Sequence, residues 1–165
     1  MKRIILSLSF MIIGLTSLNA QIKSPDEFLG YSLGSKFTPH YQIIAYFRYL
    51  AGMNKNIHLI SYGKTYENRE LMVAVISSPE NMANLEQIRK NNLSLSRAEA
   101  QGDIRQPAIL WLSYNVHGNE ASSSETAMRT LYTLAEGSFG RTRDWLKNTV
   151  VVIDPCLNPD GRERF

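Results

Sequence analysis

Apolar positions along the chain alternate between two periods. Ile43, Ile44, Phe47, Leu50 and Ala51 recur at helical spacing. Thr38 stands before them as an N-cap, Pro39 as the first helical residue and Gly52 as a stop. Met82, Leu85 and Ile88 form a second stripe, opened by Ser78-Pro79-Glu80 and running to about Asn91. Ala127, Met128, Leu131, Leu134 and Ala135 form a third, in a segment from Ala121 to Glu136 closed by Gly137. Between the stripes lie short runs that read as strands: Ile57 to Tyr62, Leu71 to Ile76, Ala108 to Ser113 and Val150 to Ile153. The polar connection from Gly63 to Arg69 is short and favours an antiparallel pair. The strand–helix–strand order after it predicts right-handed parallel crossovers. Fully apolar strands separated by helices indicate a sheet covered on both faces. The expected fold class is α/β, a mixed, largely parallel sheet with helices on both faces. Residues 21–37, 92–106 and 141–147 read as irregular: a leading segment, a loop and a charged turn around Trp145.

The first twenty residues stand apart. Lys2 and Arg3 precede an apolar run from Ile4 to Leu15, and small or polar residues end at Asn19-Ala20. This is the pattern of a secretory signal peptide over residues 1–20, with cleavage after Ala20. The run is short for a membrane span. An uncleaved anchor is the alternative. The expected location is secreted or periplasmic, with no stable membrane association after cleavage. The full chain carries 18 basic and 15 acidic residues. Less Lys2 and Arg3, 16 basic residues would face those 15. That near balance, without a basic block or a stacking platform, gives no case for nucleic acid binding. Cys156 is the only cysteine, so no internal disulfide can form. It could ligate a metal, but its place directly after a strand favours a small buried apolar role.

The candidate chemistry sits in Asn115-Val116-His117-Gly118-Asn119-Glu120. An apolar strand leads in and a helix leads out, which puts His117 and Glu120 at the carboxyl end of a strand, where open α/β sheets bind ligands. An imidazole and a carboxylate three residues apart can face one point there. Zinc accepts both donor types, and a catalytic zinc needs three protein ligands and an open position. The pair is two-thirds of such a site. Alternatively, His117 packs locally and Glu120 only favours the first helical turn. Of the other histidines, His40 falls in the first turn of a helix and reads as a surface residue. His58 falls within a strand and reads as a packing or edge residue. Asn158-Pro159-Asp160-Gly161 is strong turn chemistry after the last strand, on the same rim as His117. Arg162 and Arg164 read as solvated turn charges, and nothing beyond the turn resembles a closing helix.

Three segments, in order, resemble the zinc carboxypeptidases, the carboxypeptidase A-like metallopeptidases. Tyr62-Gly63-Lys64-Thr65-Tyr66-Glu67-Asn68-Arg69-Glu70-Leu71 resembles the family's hairpin. His117-Gly118-Asn119-Glu120 matches the motif that supplies two zinc ligands. Asn158-Pro159-Asp160-Gly161 matches the turn after the next core strand. Ser122 and the bulky Trp111 depart from the usual pattern. The resemblance runs from about residue 38 to the end. It implies that residues 21–165 are the N-terminal portion of a zinc carboxypeptidase-like catalytic domain whose sheet is incomplete.

The resemblance further implies a Zn²⁺ cofactor held by His117 and Glu120, a peptide or protein substrate, and hydrolysis of C-terminal peptide bonds by a zinc-activated water. The third zinc ligand, the catalytic glutamate and the carbonyl-polarising arginine would lie beyond Phe165. No catalytic residue is therefore assigned within the chain, and the 165 residues alone are expected to show no peptidase turnover. Two other readings stay open: a zinc-dependent amidohydrolase or deacylase relative, and a catalytically inactive fragment or binding module. An unfinished sheet would also leave apolar surface exposed and stability marginal.

Overall fold

The structure, a computed structural model, describes residues 21–99, 105–138 and 140–165. The leader, 1–20, and the Gly102-Asp103 part of the expected loop lie outside the described residues. Residues 21–37 are more ordered than their composition predicts. Pro25–Leu29 form a short helix, α1, started by a capping box in which Ser24 and Glu27 satisfy each other's backbone. Gly30, in the left-handed region, ends it.

Helix α2 spans His40–Met53 and buries Ile43, Tyr46, Phe47 and Leu50. Its N-cap is Pro39, one residue later than expected. The Thr38 hydroxyl bonds the Tyr31 hydroxyl instead, at 2.9 Å. Strands β1 (Ile57–Lys64) and β2 (Glu70–Ile76) form the expected antiparallel pair, with a bulge between Ser61 and Gly63. The second helical stripe is broken at Asn84 into α3 (Pro79–Ala83) and α4 (Leu85–Ser96), with Ser78 capping the first. Strand β3 (Ala108–Ser113) leads to α5 (Ala121–Glu136). The charged segment after it is a helix, α6 (Thr142–Asn148), not a turn, and Leu146 is its buried anchor. Strand β4 (Thr149–Asp154) follows. The Asn-Pro-Asp-Gly segment, expected as a turn, is itself helical: α7 (Pro159–Glu163) starts inside it, because Asn158 caps it and Pro159 is pre-set for its first position.

The four strands form one mixed sheet in the order β1-β2-β4-β3. β2 pairs antiparallel with β4, and β3 pairs parallel with β4. The crossover expected from β2 to β3 is therefore absent; β3–α5–β4 is the parallel unit. β4 inserts between β2 and β3, which a reading of neighbours in sequence does not reveal. Side chains alternate across the sheet. Met72, Ala74, Ile76, Val151 and Ile153 face α2 and α5 in the main core. On the other face Val75 and Val150 pack with Ile88, Met82 and Leu85. That second layer is partial, and an apolar trough of about 510 Å³ remains between Ile60, Val73, Ile109, Trp111 and Val152.

Candidate metal centre

Because β3 and β4 are parallel, their carboxyl ends share a rim, with Ser113 opposite Asp154. The chains leaving them stay bonded: Leu157 N–H donates to the Tyr114 carbonyl at 2.9 Å and Asn158 N–H to the Asn115 carbonyl at 3.1 Å. Asn115 then turns the chain through a left-handed conformation, φ 55°, which asparagine tolerates better than most residues. The loop that follows carries the candidate ligands and ends where α5 begins.

His117 and Glu120 meet. His117 Nδ1 lies 2.8 Å from Glu120 Oε1, and the His117 backbone N–H donates to Oε2 at 3.1 Å. An ionised carboxylate only accepts, so the Nδ1 nitrogen carries the proton in this contact. That hydrogen bond, with the backbone one, holds the Glu120 carboxyl below its ordinary range. Both side chains reach solvent, at 75 % and 40 % exposure. A cation that displaced the shared proton would meet an imidazole lone pair and a carboxylate oxygen. The donor set suits zinc in kind but falls short in number. Among the described residues no group of three or more His, Cys, Asp or Glu could hold one metal ion.

The loop is locked from beneath. Asn115 is 1 % exposed. Its Nδ2 donates to the His117 carbonyl at 2.6 Å, and its Oδ1 accepts from Ser124 Oγ and Arg162 Nη1, both at 2.9 Å. Asn158 Nδ2 donates to the Val116 carbonyl at 3.2 Å. The hairpin joins the same assembly through Asp160, which accepts from Thr65 Oγ1 and Arg69 Nη1, both at 2.7 Å. The three motif segments, far apart in sequence, thus form one bonded cluster.

Two residues read as solvent-facing are buried. Arg162 is 0 % exposed, not a solvated turn charge. Helix α7 aims it inward, where Nη2 donates to the Thr38 carbonyl at 2.8 Å and pairs with Glu125 at 3.4 Å. Only Arg164 is the exposed charge expected, paired with Glu67. His40 is 5 % exposed. Its Nε2 contacts the Glu70 carbonyl at 3.0 Å, its backbone N–H donates to Glu163, and burial pushes its pKa down. Reading Asn158-Pro159 as a cap and first helical residue would have placed Arg162 one turn on and flagged it. Nothing in the sequence flags His40. Cys156 is buried as expected, 2 % exposed, and burial pushes its thiol up to about 11. His58 lies exposed on the edge strand β1.

The profile of the zinc carboxypeptidases matches residues 43–165. Among solved structures, carboxypeptidase A from Helicoverpa armigera superposes with a TM-score of 0.59 at 19 % identity, over 86 % of this chain and 28 % of that one. Thrombin activatable fibrinolysis inhibitor gives 0.58 at 16 % identity, over 78 % and 27 %. A metallo-carboxypeptidase from Burkholderia cenocepacia gives 0.54 at 15 % identity, over 76 % and 28 %. The chain thus spans little more than a quarter of the length of these proteins. No curated protein sequence matches it.

Proposed function

The chain belongs to the zinc carboxypeptidase family, and from that premise we propose that it is the zinc-ligating front portion of a secreted metallocarboxypeptidase, with His117 and Glu120 as two of the three protein ligands. The observation that carries this reading is the 2.8 Å approach of His117 Nδ1 to Glu120 Oε1 on an open rim. Zinc bound there would supply a Lewis acid and a water acidified towards neutrality for attack on a peptide carbonyl. This chain's part is to present the two donors. The αL turn at Asn115 lifts the loop off β3, Gly118 lets it lie against the Asn-Pro-Asp-Gly turn, and α5 fixes the Glu120 end. The third ligand, the general base and the carbonyl-polarising arginine are assigned to polypeptide other than these 165 residues. Peptides with a free C-terminus are the substrate class, and residues 1–20 are the export signal. No helix of the described residues is long and apolar enough to cross a membrane.

The test is metal analysis of the chain expressed with its leader. Expected are cleavage after Ala20, one equivalent of chelator-sensitive Zn²⁺, loss of that zinc in His117→Ala and Glu120→Gln, and no release of C-terminal residues from peptides blocked at the amino end and free at the carboxyl end. Zinc retained by both variants would overturn the ligand assignment. Chelator-sensitive peptidase turnover by the chain alone would overturn the assignment of the remaining machinery elsewhere.

A further inference from the structure

The loop that presents His117 and Glu120 has little support of its own. Val116 is 43 % exposed and the His117 side chain is 75 % exposed. Ligands on such a loop need external restraint, because productive metal geometry tolerates displacements of only about 0.5 Å. We infer that Arg162 and Asn115 act together as positioning residues for the two ligands, an inference that rests on the metal reading above.

The geometry is specific. A single guanidinium nitrogen, Arg162 Nη1, donates to Asn115 Oδ1 at 2.9 Å and to the Ala121 carbonyl at 2.7 Å. Asn115 begins the ligand loop and Ala121 directly follows Glu120, so one nitrogen grips both ends. From the near end the restraint passes to a ligand itself, since Asn115 Nδ2 donates to the His117 carbonyl at 2.6 Å. The guanidinium is in turn fixed from outside the loop. Its Nε and Nη2 donate to the Thr38 carbonyl at 3.3 and 2.8 Å. Nη2 pairs with Glu125, and Phe37 lies with its ring centroid 4.3 Å from the guanidinium carbon. The segment before α2, the helix α5 and the turn helix α7 all converge on it. A buried guanidinium is an expensive way to fill space, and apolar side chains of equal volume would stabilise a core as well. Its planar fork instead fixes several acceptors in one plane.

Asn115→Asp separates positioning from folding. It keeps a side chain that tolerates positive φ and keeps the acceptor for Arg162. It loses the donor to the His117 carbonyl. Titration with Co²⁺, followed by visible absorption, is run on the full chain, on Asn115→Asp, on Asn115→Gly and on Arg162→Lys, with His117→Ala as reference. Amide exchange at His117 and Glu120 is measured without metal. The expected result is an Asn115→Asp variant that still unfolds cooperatively, Co²⁺ affinity weaker by roughly tenfold or more, and faster exchange at both ligand amides. The added negative charge would by itself tighten cation binding, so a loss isolates geometry. Asn115→Gly, which also accommodates the turn, should weaken binding likewise, and Arg162→Lys should fall between.

A folded Asn115→Asp or Asn115→Gly with parental Co²⁺ affinity and parental exchange would overturn the inference. If the parent chain binds no Co²⁺, or binds it as well without His117, the metal reading fails instead. The exchange rates in the metal-free protein then decide the positioning role.

Discussion

Gly118 lies against Gly161 so closely that a Cβ on Gly118 would come within 3.0 Å of the Gly161 Cα and closer still to its carbonyl. Both partners are backbone, so neither can swing aside as a long side chain would. The contact seats the ligand loop on the Asn-Pro-Asp-Gly turn. Gly118→Ala is expected to push the two apart, destabilising the protein by about 1–3 kcal/mol. It should also displace His117, with weaker Zn²⁺ binding in calorimetry. Unchanged binding and stability would mean that the turn is not the seat of the loop.

Arg162 and Glu125 form a buried pair, with side chains 0 % and 6 % exposed. Removing one partner of such a pair strands the other charge, and Arg162→Met should cost about 3–5 kcal/mol in urea unfolding. The double variant Arg162→Met/Glu125→Gln should be less destabilised than the sum of the single ones, because no charge is then stranded. Additive losses would show that the two side chains act independently.

Much of this arrangement was legible in the chain. The three amphipathic stripes, the four strands, the hairpin and the meeting of His117 with Glu120 on one rim all follow from local pattern. The place of β4 between β2 and β3 does not, since it is set by which edge a strand finds in three dimensions. The burial of His40 and Arg162 escapes local pattern for a related reason. Their types favour solvent, and their burial is decided by acceptors at Glu70, Thr38 and Asn115, which only the folded chain brings near. Asn115 lay in plain view within the motif, but its role depends on a positive φ and on Arg162, 47 residues away.

The two edges of the sheet are protected unequally. β1 carries His58 and Lys64 and a bulge, features that discourage further pairing. β3 reads Ala-Ile-Leu-Trp-Leu-Ser without a charge. Its Ile109, Leu110 and Trp111 are 39 %, 47 % and 60 % exposed, and Ile109 and Trp111 border the apolar trough. The purified chain should therefore self-associate as its concentration rises. Trp111→Lys, which puts a charge on this edge, should lower the mass measured by light scattering, with a stability change within about 0.5 kcal/mol. Association equal to that of the parent would place the sticky surface elsewhere.

Asp154 ends β4 fully buried, accepting from the Tyr62 hydroxyl at 2.6 Å and the Cys156 N–H at 3.2 Å. Burial raises its pKa, and those two bonds, with His40 nearby, only partly oppose the rise. The folded protein therefore holds this proton more tightly than the unfolded chain, which releases it near 3.8. Between that value and the higher folded one, the unfolded state binds fewer protons, so Asp154 makes stability fall as pH rises. Asp26 and Glu27 act in the opposite sense. Backbone hydrogen bonds, from Leu33 to Asp26 and from Ser24 to Glu27, hold both carboxyls low, and their contribution is lost as pH falls. A single pH–stability curve mixes the two effects, and the difference between parent and Asp154→Asn separates them. The amide keeps one acceptor for Tyr62 or Cys156 and has no proton to lose. The stability of the parent relative to Asp154→Asn, from urea unfolding at successive pH values, should decline from about pH 4 upward and then level off. A difference that stays flat or rises with pH would show that the hydrogen bonds from Tyr62 and Cys156 outweigh burial, and that Asp154 is carried in the fold as a comfortable anion.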